Sequence, residues 1–248
     1  MVRLHCPPPS PLLIVQTGRA PPELRARLGD FPHWFRCALG IPRDLVRLVY
    51  VDAGEPLPDA RNHSAILVTG SAAMVTERAA WSERTGAWLR DVVERDLCPV
   101  FGVCFGHQLL AMALGGTVDW NPRGREIGTA MIRCMPAARR DPLFGSFVPH
   151  LRAHVTHLQS VLVPPPGAQI LAESDLDDCQ ALRLGERAWS VQFHPEFSTA
   201  AIRGYLRLRA ADLRVEGLGL TAIERATGPT PHARRLLRRF LALTAEYR

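Results

Sequence analysis

The sequence predicts an α/β fold with a doubly wound, mostly parallel sheet, a small antiparallel extension and a C-terminal helical tail. Short apolar runs alternate with helix-compatible segments over the first 115 residues, a pattern typical of parallel sheets with helices on both faces. Strand-like runs joined by turns follow between positions 126 and 193. From Thr199 onward the apolar spacing is helical.

The first half of the chain alternates between the two kinds of element. Strands are predicted at 12–15, 45–51, 64–68 and 99–103, where short apolar runs end in turn residues. Helices are predicted at 23–39, 85–97 and 106–114, and Gly115-Gly116 ends the last of them.

The second half predicts an antiparallel extension followed by helices. Strands are expected at 126–134, 154–163, 169–172, 181–184 and 189–193, with a turn at 164–167. No repeat or low-complexity linker interrupts the chain. We therefore expect one domain at 1–205 and a helical extension at 206–248 packed on it, with Leu236, Leu237, Phe240 and Leu241 on one helical face.

Composition excludes several classes of protein. No run approaches the roughly 18 apolar residues of a membrane-spanning helix, and residues 1–9 lack the apolar region of a signal peptide. We expect a soluble, cytoplasmic protein without a membrane partner. All 30 positive residues are arginine, so a phosphate-binding Walker loop, which needs lysine, is excluded and no cofactor is expected. These arginines are scattered along the chain. No stacking aromatic residues interleave with the arginines of the C-terminal segment 232–241, which argues against a nucleic-acid partner.

One cysteine stands on a sharp corner. The six cysteines are widely spread with no C-x-x-C pair, so we expect one special thiol and five core residues. In Gly102-Val103-Cys104-Phe105-Gly106, the cysteine joins a buried strand to a helix, as the nucleophile of an elbow does. The helix N-terminus favours thiolate, and the Phe105 amide faces the space of a developing oxyanion. An inert buried cysteine is the alternative.

A base for this thiol is present near position 194. In Ser190-Val191-Gln192-Phe193-His194-Pro195-Glu196, the histidine and glutamate are two residues apart at a predicted strand end. Positions i and i+2 of an extended chain face the same side. His194 can therefore take the proton of Cys104 while Glu196 orients the imidazole.

These residues are similar to those of a known family. The strings PVFGVCFGHQLLAMALGG (99–116) and WSVQFHPEF (189–197) resemble class I glutamine amidotransferases, especially the glutaminase domain of GMP synthetase and its stand-alone relatives. ILVTGSAAMV (66–75), GREIG (124–128) and VTHLQSV (155–161) extend the resemblance. It implies a flavodoxin-like fold and a glutaminase that forms a cysteinyl thioester and passes ammonia to a separate synthetase or ligase.

The resemblance also implies further site residues. A second oxyanion donor comes from the Gly70-Ser71 loop: alignment favours Ser71, Gly70 remains possible, and relatives commonly have Gly-Gly-Pro where this chain has Gly70-Ser71-Ala72. Gln108 aligns with a glutamine that holds the substrate. Thr156 and His157 align with a segment lining the glutamine pocket.

Three alternatives stay open at this point. The same catalytic residues could cleave γ-glutamyl peptides, because the scissile carbon is chemically equivalent. The chain could be a non-catalytic regulatory or binding subunit. His150, His154 and His157 could suggest a metal, but no carboxylate or cysteine completes the set, so no metal is expected.

Overall fold

The computed structural model describes residues 10–147 and 149–246. The expectations for residues 1–9, including the missing signal peptide and a core position for Cys6, lie outside the described residues. The last two residues of the predicted extension, Tyr247 and Arg248, lie outside them as well.

A nine-stranded sheet forms the centre, in the order β2-β1-β3-β4-β11-β10-β9-β6-β7, and β5 and β8 form a second, two-stranded sheet. The strands are β1 (Leu12–Gln16), β2 (Val46–Tyr50), β3 (Ala65–Val68), β4 (Val100–Val103), β5 (Thr117–Trp120), β6 (Glu126–Cys134), β7 (His150–His157), β8 (Gln159–Val163), β9 (Gln169–Glu173), β10 (Ala181–Arg183) and β11 (Ala188–Val191). β2, β1, β3, β4 and β11 are parallel. The remaining strands are antiparallel.

Helices cover both faces of this sheet. They are α1 (Pro22–Leu28), α2 (Phe31–Leu39), α3 (Ala80–Glu94), α4 (Phe105–Ala113), α5 (Thr199–Leu208), α6 (Ala210–Val215), α7 (Leu220–Ala226) and α8 (Pro231–Glu246). Alternate residues of β1 enter opposite cores: Leu12 and Ile14 pack with α2, α5 and α8, and Leu13 and Val15 pack with α3 and α4. The predicted fold class is confirmed.

Several predicted elements have different bounds. The segment 23–39 forms two helices because Gly29 has a positive φ of 81° and the Asp30 side chain caps α2 at Phe31. The strand predicted at 154–163 breaks at Leu158 into β7 and β8, which join different sheets. Strand β5 was not predicted, because only one of its four residues is buried.

The C-terminal helix α8 packs on the sheet through its apolar face. Leu236, Leu237 and Phe240 are buried, and the Phe240 ring lies 5.1 Å from that of Phe101. Leu241, predicted on the same face, is only half-buried.

The prediction that every cysteine other than Cys104 is a core residue is wrong for Cys37. This residue is exposed on α2, because its position faces away from the sheet. The cysteines of the described residues are free thiols. Within those residues, no helix combines the length and apolarity needed to cross a membrane.

Candidate active site

Cys104 occupies a strained corner between β4 and α4. Its φ of 52° lies in a region that residues with a Cβ rarely adopt. A Cβ at Gly102 would lie 2.6 Å from Leu110 Cδ1, and one at Gly106 would lie 2.7 Å from the Val68 carbonyl oxygen. Both glycines are therefore required for the close approach of strand and helix, and the thiol stands at the N-terminus of α4.

His194 is held by a turn rather than by a strand. Strand β11 ends at Val191, His194 forms an isolated bridge with His154, and Pro195 and Glu196 lie in a turn. The expected strand end at 193 and the i, i+2 alternation are therefore wrong for this segment. The bend brings the two side chains together directly: His194 Nδ1 is 2.8 Å from Glu196 Oε1.

The surroundings of His194 fix its ring and its charge. The Phe197 ring stacks on the imidazole at a centroid distance of 4.0 Å. Burial lowers the pKa of His194, but the charges of Glu196 and Cys104 outweigh burial and raise it to about 10. Nε2 is buried and has no hydrogen-bond partner among the described residues. This nitrogen is therefore available for proton transfer.

The imidazole and the thiol flank one small space beside Gly70. A Cβ built on Gly70 would lie 3.0 Å from His194 Cε1 and 3.6 Å from Cys104 Cβ. Cys104 and His194 also line one cleft. The structure thus brings together the three residues predicted for nucleophile, base and orienting group.

The predicted oxyanion donors lie at the same cleft. Phe105 and Ser71 line it, and Gly70 is buried next to His194 and Cys104. Within the described residues, no acceptor is present for the Ser71 N–H. The N–H of Phe105, at the first position of α4, has no preceding turn to bond to. Two backbone donors at a cleft with a thiol can bind an oxyanion.

Gln108 lines the cleft one helical turn after Cys104. Its Nε2 donates to the Gln159 carbonyl at 2.7 Å and to Gln192 Oε1 at 2.9 Å. Because both side-chain N–H bonds point into the protein, Oε1 is the atom left for a ligand.

Thr156 and His157 also line the cleft, and His157 belongs to a buried network. Its Nε2 lies 2.8 Å from Glu126 Oε2, and its Nδ1 lies 3.0 Å from the Gln159 carbonyl oxygen. Burial lowers the pKa of His157, but the hydrogen bond to Glu126 and the charge of Asp177 raise it above its ordinary value. Both ring nitrogens face acceptors, so His157 is held as an imidazolium.

A comparison with protein families shows the family of this chain. Residues 46–207 match the model of the family described as glutamine amidotransferase class-I. The chain belongs to this family. It is 28% identical over 173 residues to a glutamine amidotransferase-like protein of Schizosaccharomyces pombe, covering 69% of this chain and 68% of that one.

Other relatives match a shorter part of this amidotransferase-family chain. One component of the glutamine-hydrolysing GMP synthase of Halobacterium salinarum is 38% identical over 99 residues, which are 40% of this chain and 52% of that component. The chain thus spans about half the length of that relative.

Solved structures share the fold. A glutamine amidotransferase from Methylobacillus flagellatus has a TM-score of 0.75 and 23% identity, covering 96% of this chain and 95% of that one. One from Thermotoga maritima has a TM-score of 0.74 and 17% identity, covering 96% and 99%.

Several residues that line this amidotransferase cleft are not predicted from the sequence. The cleft is also lined by Phe31, from α2, and by Tyr205, from α5. Arg209, the residue after α5, lines it as well. Arg125, from the GREIG string, lines it too and pairs with Glu216, which follows α6, at 2.8 Å. The topology could have indicated Phe31, which lies in the connection after β1. Connections that follow parallel strands meet at one edge of the sheet.

The other histidines of the described residues do not join the site. His107 is buried against Ser190 with 2.8 Å between Nδ1 and Oγ, and burial lowers its pKa to about 3. Within residues 10–147 and 149–246, no group of three or more His, Cys, Asp or Glu residues is arranged to hold a metal ion.

Proposed function

We propose that this chain hydrolyses the side-chain amide of glutamine to glutamate and ammonia through a thioester on Cys104. The observation that carries the proposal is the free Nε2 of a buried, carboxylate-paired His194 beside the elbow cysteine. Membership of the class I glutamine amidotransferase family supports glutamine as the amide donor.

Acylation uses the thiol, the imidazole and the backbone donors. The Cys104 thiolate forms a C–S bond with the amide carbon, and the carbonyl π electrons move to oxygen. The N–H groups of Phe105 and Ser71 stabilise this oxyanion, with the Gly70 N–H as the alternative second donor; loss of one such donor typically lowers kcat by about 10²–10³-fold. When the C–N bond breaks, protonated His194 gives its Nε2 proton to the leaving nitrogen, and ammonia departs.

Deacylation reverses these roles with water. His194 Nε2 takes a proton from the attacking water, the C–S bond breaks and the thiolate is restored with glutamate as product. Glu196 keeps the Nδ1 proton directed away from the cleft and stabilises the imidazolium that forms in each half-reaction.

The substrate's other groups meet the remaining cleft residues. Gln108 Oε1 is a fixed acceptor suited to the substrate's ammonium group, since the amide nitrogen is engaged inside the protein. Thr156 and His157 form the adjoining wall. Arg125 offers a guanidinium for the substrate carboxylate.

Two points about organisation belong to the same proposal. The ammonia acceptor is a synthetase or ligase on another chain; the relation to one component of a GMP synthase supports this.

Residues 206–248 form an extension of the 1–205 domain, which the packing of Phe240 on Phe101 and Trp189 supports.

A substrate comparison tests the proposal. Glutamate release by the purified chain is measured with glutamine and with γ-glutamyl dipeptides, using Cys104→Ala as the inactive control. We expect a higher kcat/KM for glutamine. Preference for the dipeptides would identify a γ-glutamyl peptidase, and no release from either, even with candidate acceptors present, would indicate a non-catalytic protein.

A further inference from the structure

We propose that Thr17 and Thr69 are positioning residues that hold the Gly70–Ser71 peptide with its N–H toward the cleft. The oxyanion-binding site is then formed in the isolated chain, without an acceptor protein to arrange it. This inference rests on the proposed glutaminase activity.

The two threonines follow neighbouring parallel strands. Thr17 comes directly after β1 and Thr69 directly after β3, and neither is exposed to solvent. The Thr17 N–H donates to Thr69 Oγ1 at 3.1 Å, and the Thr69 N–H donates to the Val15 carbonyl at 3.1 Å. The hydroxyl pair is thus fixed by the sheet itself.

Both hydroxyls bond to the backbone of the oxyanion loop. The Gly70 carbonyl accepts from Thr69 Oγ1 at 3.0 Å and from Thr17 Oγ1 at 3.1 Å. Thr17 Oγ1 also lies 2.9 Å from the Thr69 carbonyl oxygen, so its one proton is shared between two acceptors. Two successive carbonyls therefore point toward the sheet.

The orientation of the carbonyl determines that of the N–H. A trans peptide carries its C=O and N–H on opposite edges. With the Gly70 carbonyl directed to the buried threonines, the Ser71 N–H is directed to the other side, where Ser71 and Cys104 line the cleft.

A flip of this peptide would be doubly unfavourable. The two hydrogen bonds to the Gly70 carbonyl would be lost, which is unfavourable in a buried site. Thr17 Oγ1 would keep the Thr69 carbonyl as acceptor, and Thr69 Oγ1 would keep only Thr17 Oγ1, at 3.2 Å. The carbonyl oxygen would face the cleft and repel the developing oxyanion. The threonines thus keep the hole in its active form whether or not an acceptor protein is bound.

Variants that remove only the hydroxyls test this role. Thr17→Val and Thr69→Val, singly and together, are compared with Thr244→Val, which removes a buried hydroxyl bond on the distant helix α8. We expect kcat for glutamine to be about tenfold to 10²-fold lower in the double variant than in the wild type, with KM little changed. The upper end of this range is the effect of losing one oxyanion donor outright. Thr69→Ser, which keeps the hydroxyl, should retain wild-type kcat.

A second readout separates positioning from general damage. Alkylation of Cys104 by iodoacetamide forms no oxyanion, so its rate should be the same in the double variant as in the wild type. Unchanged kcat in the double variant, or an equal loss in Thr244→Val, would overturn the inference. An equal loss of alkylation rate would also overturn it, since that would indicate a disturbed thiol.

The wild-type chain supplies a test that needs no folded variant. We expect the isolated protein to hydrolyse glutamine with kcat of roughly 1 s⁻¹ or more, an ordinary enzyme rate. A different result would overturn the preformed hole: diazo-oxo-norleucine labels Cys104, but kcat for glutamine is about 10²-fold below that rate. The assignment of Cys104 as nucleophile would then still stand. No labelling and no hydrolysis would instead contradict the proposed function.

Discussion

Two buried histidine–carboxylate pairs lie at the same cleft and differ in their second ring nitrogen. His194 bonds to Glu196 at 2.8 Å through Nδ1, and its Nε2 has no partner among the described residues. His157 bonds to Glu126 at 2.8 Å through Nε2, and its Nδ1 donates to the Gln159 carbonyl.

The difference separates the imidazole that we propose as general base from one that only holds its neighbours. Proton transfer needs a nitrogen that can reach the reacting atoms, and of this pair of histidines His194 alone keeps one free. His157, with both nitrogens engaged, positions the backbone of Gln159, whose carbonyl also receives Gln108. A carboxylate partner alone therefore does not indicate a general base.

Removing the free nitrogen should have the largest effect. His194→Gln should lower kcat for glutamine hydrolysis by roughly 10⁴-fold or more, because the thiol loses its general base. His107→Gln alters a buried histidine outside the cleft and should stay within a few-fold of wild type. Steady-state ammonia release measures both, and circular dichroism checks the fold. Comparable losses in the two variants would remove the distinction.

Neutralising the partner of His194 should have the next largest effect. Glu196→Gln should lower kcat by about 10²-fold or more, since the imidazolium loses its counter-charge and the tautomer is no longer fixed. The pKa of His194, about 10 in the wild type, should fall, which an NMR titration measures. Glu83→Gln, an exposed carboxylate on α3, is the control. An unchanged His194 pKa would contradict this account.

Breaking the other pair should change stability more than catalysis. His157→Gln should lower the free energy of unfolding by about 3 kcal/mol, because a buried Glu126 carboxylate loses its cation. Urea unfolding measures the loss. Adding Glu126→Gln removes the unpaired charge and should restore part of it. A His157→Gln variant of wild-type stability with kcat lowered 10⁴-fold would show that this imidazole is catalytic.

The close approach at Gly70 gives a smaller effect on activity. Gly70→Ala places a Cβ 3.0 Å from His194 Cε1, so the ring must move by a few tenths of an ångström. We expect kcat to fall about tenfold, since catalysis is sensitive to small misplacements, with the melting temperature nearly unchanged. Gly40→Ala, a glycine with open space around it and a positive φ of 73°, should instead lower stability and leave kcat unaltered. A wild-type kcat in Gly70→Ala would contradict the close contact between a Cβ at position 70 and the His194 ring.

The smallest effect at neutral pH comes from the neutral buried histidines. Burial lowers the pKa of His107 to about 3 and of His154 to about 4. The unfolded chain, with histidine near 6.5, binds more protons, so stability should fall as pH drops from 6.5 toward 4. His194 acts oppositely: its stabilisation is full below 6.5 and is lost as pH rises through 10. Urea unfolding across this range should show a shallower acid decline for His107→Gln; an identical decline would contradict it.

The sequence predicts those parts of the site that depend on near neighbours. Gly102, Cys104 and Gly106 form their corner within five positions. The positive φ of Cys104 and the close contacts at both glycines agree with the predicted elbow. His194 and Glu196 also meet, although across a turn, because the chain leaves β11 before reaching them. Two residues apart, they could pair in either geometry.

Contacts between distant positions could not be obtained in the same way. His157 and Glu126 are 31 residues apart, and Thr17 and Thr69 are 52 apart. Their contacts depend on which strands are neighbours and in what register, which no single segment specifies. The exposed pattern of β5 likewise gave no apolar signal.

Covalent labelling by a glutamine-like electrophile tests the central claim most directly. The wild-type chain is treated with diazo-oxo-norleucine and digested, and the modified peptide is located by mass spectrometry. We predict one adduct on Cys104, slowed in His194→Gln and absent in Cys104→Ala, with the exposed Cys37 unmodified. Equal labelling of Cys37, or labelling that persists in Cys104→Ala, would contradict the assignment of Cys104 as the nucleophile of a glutamine site.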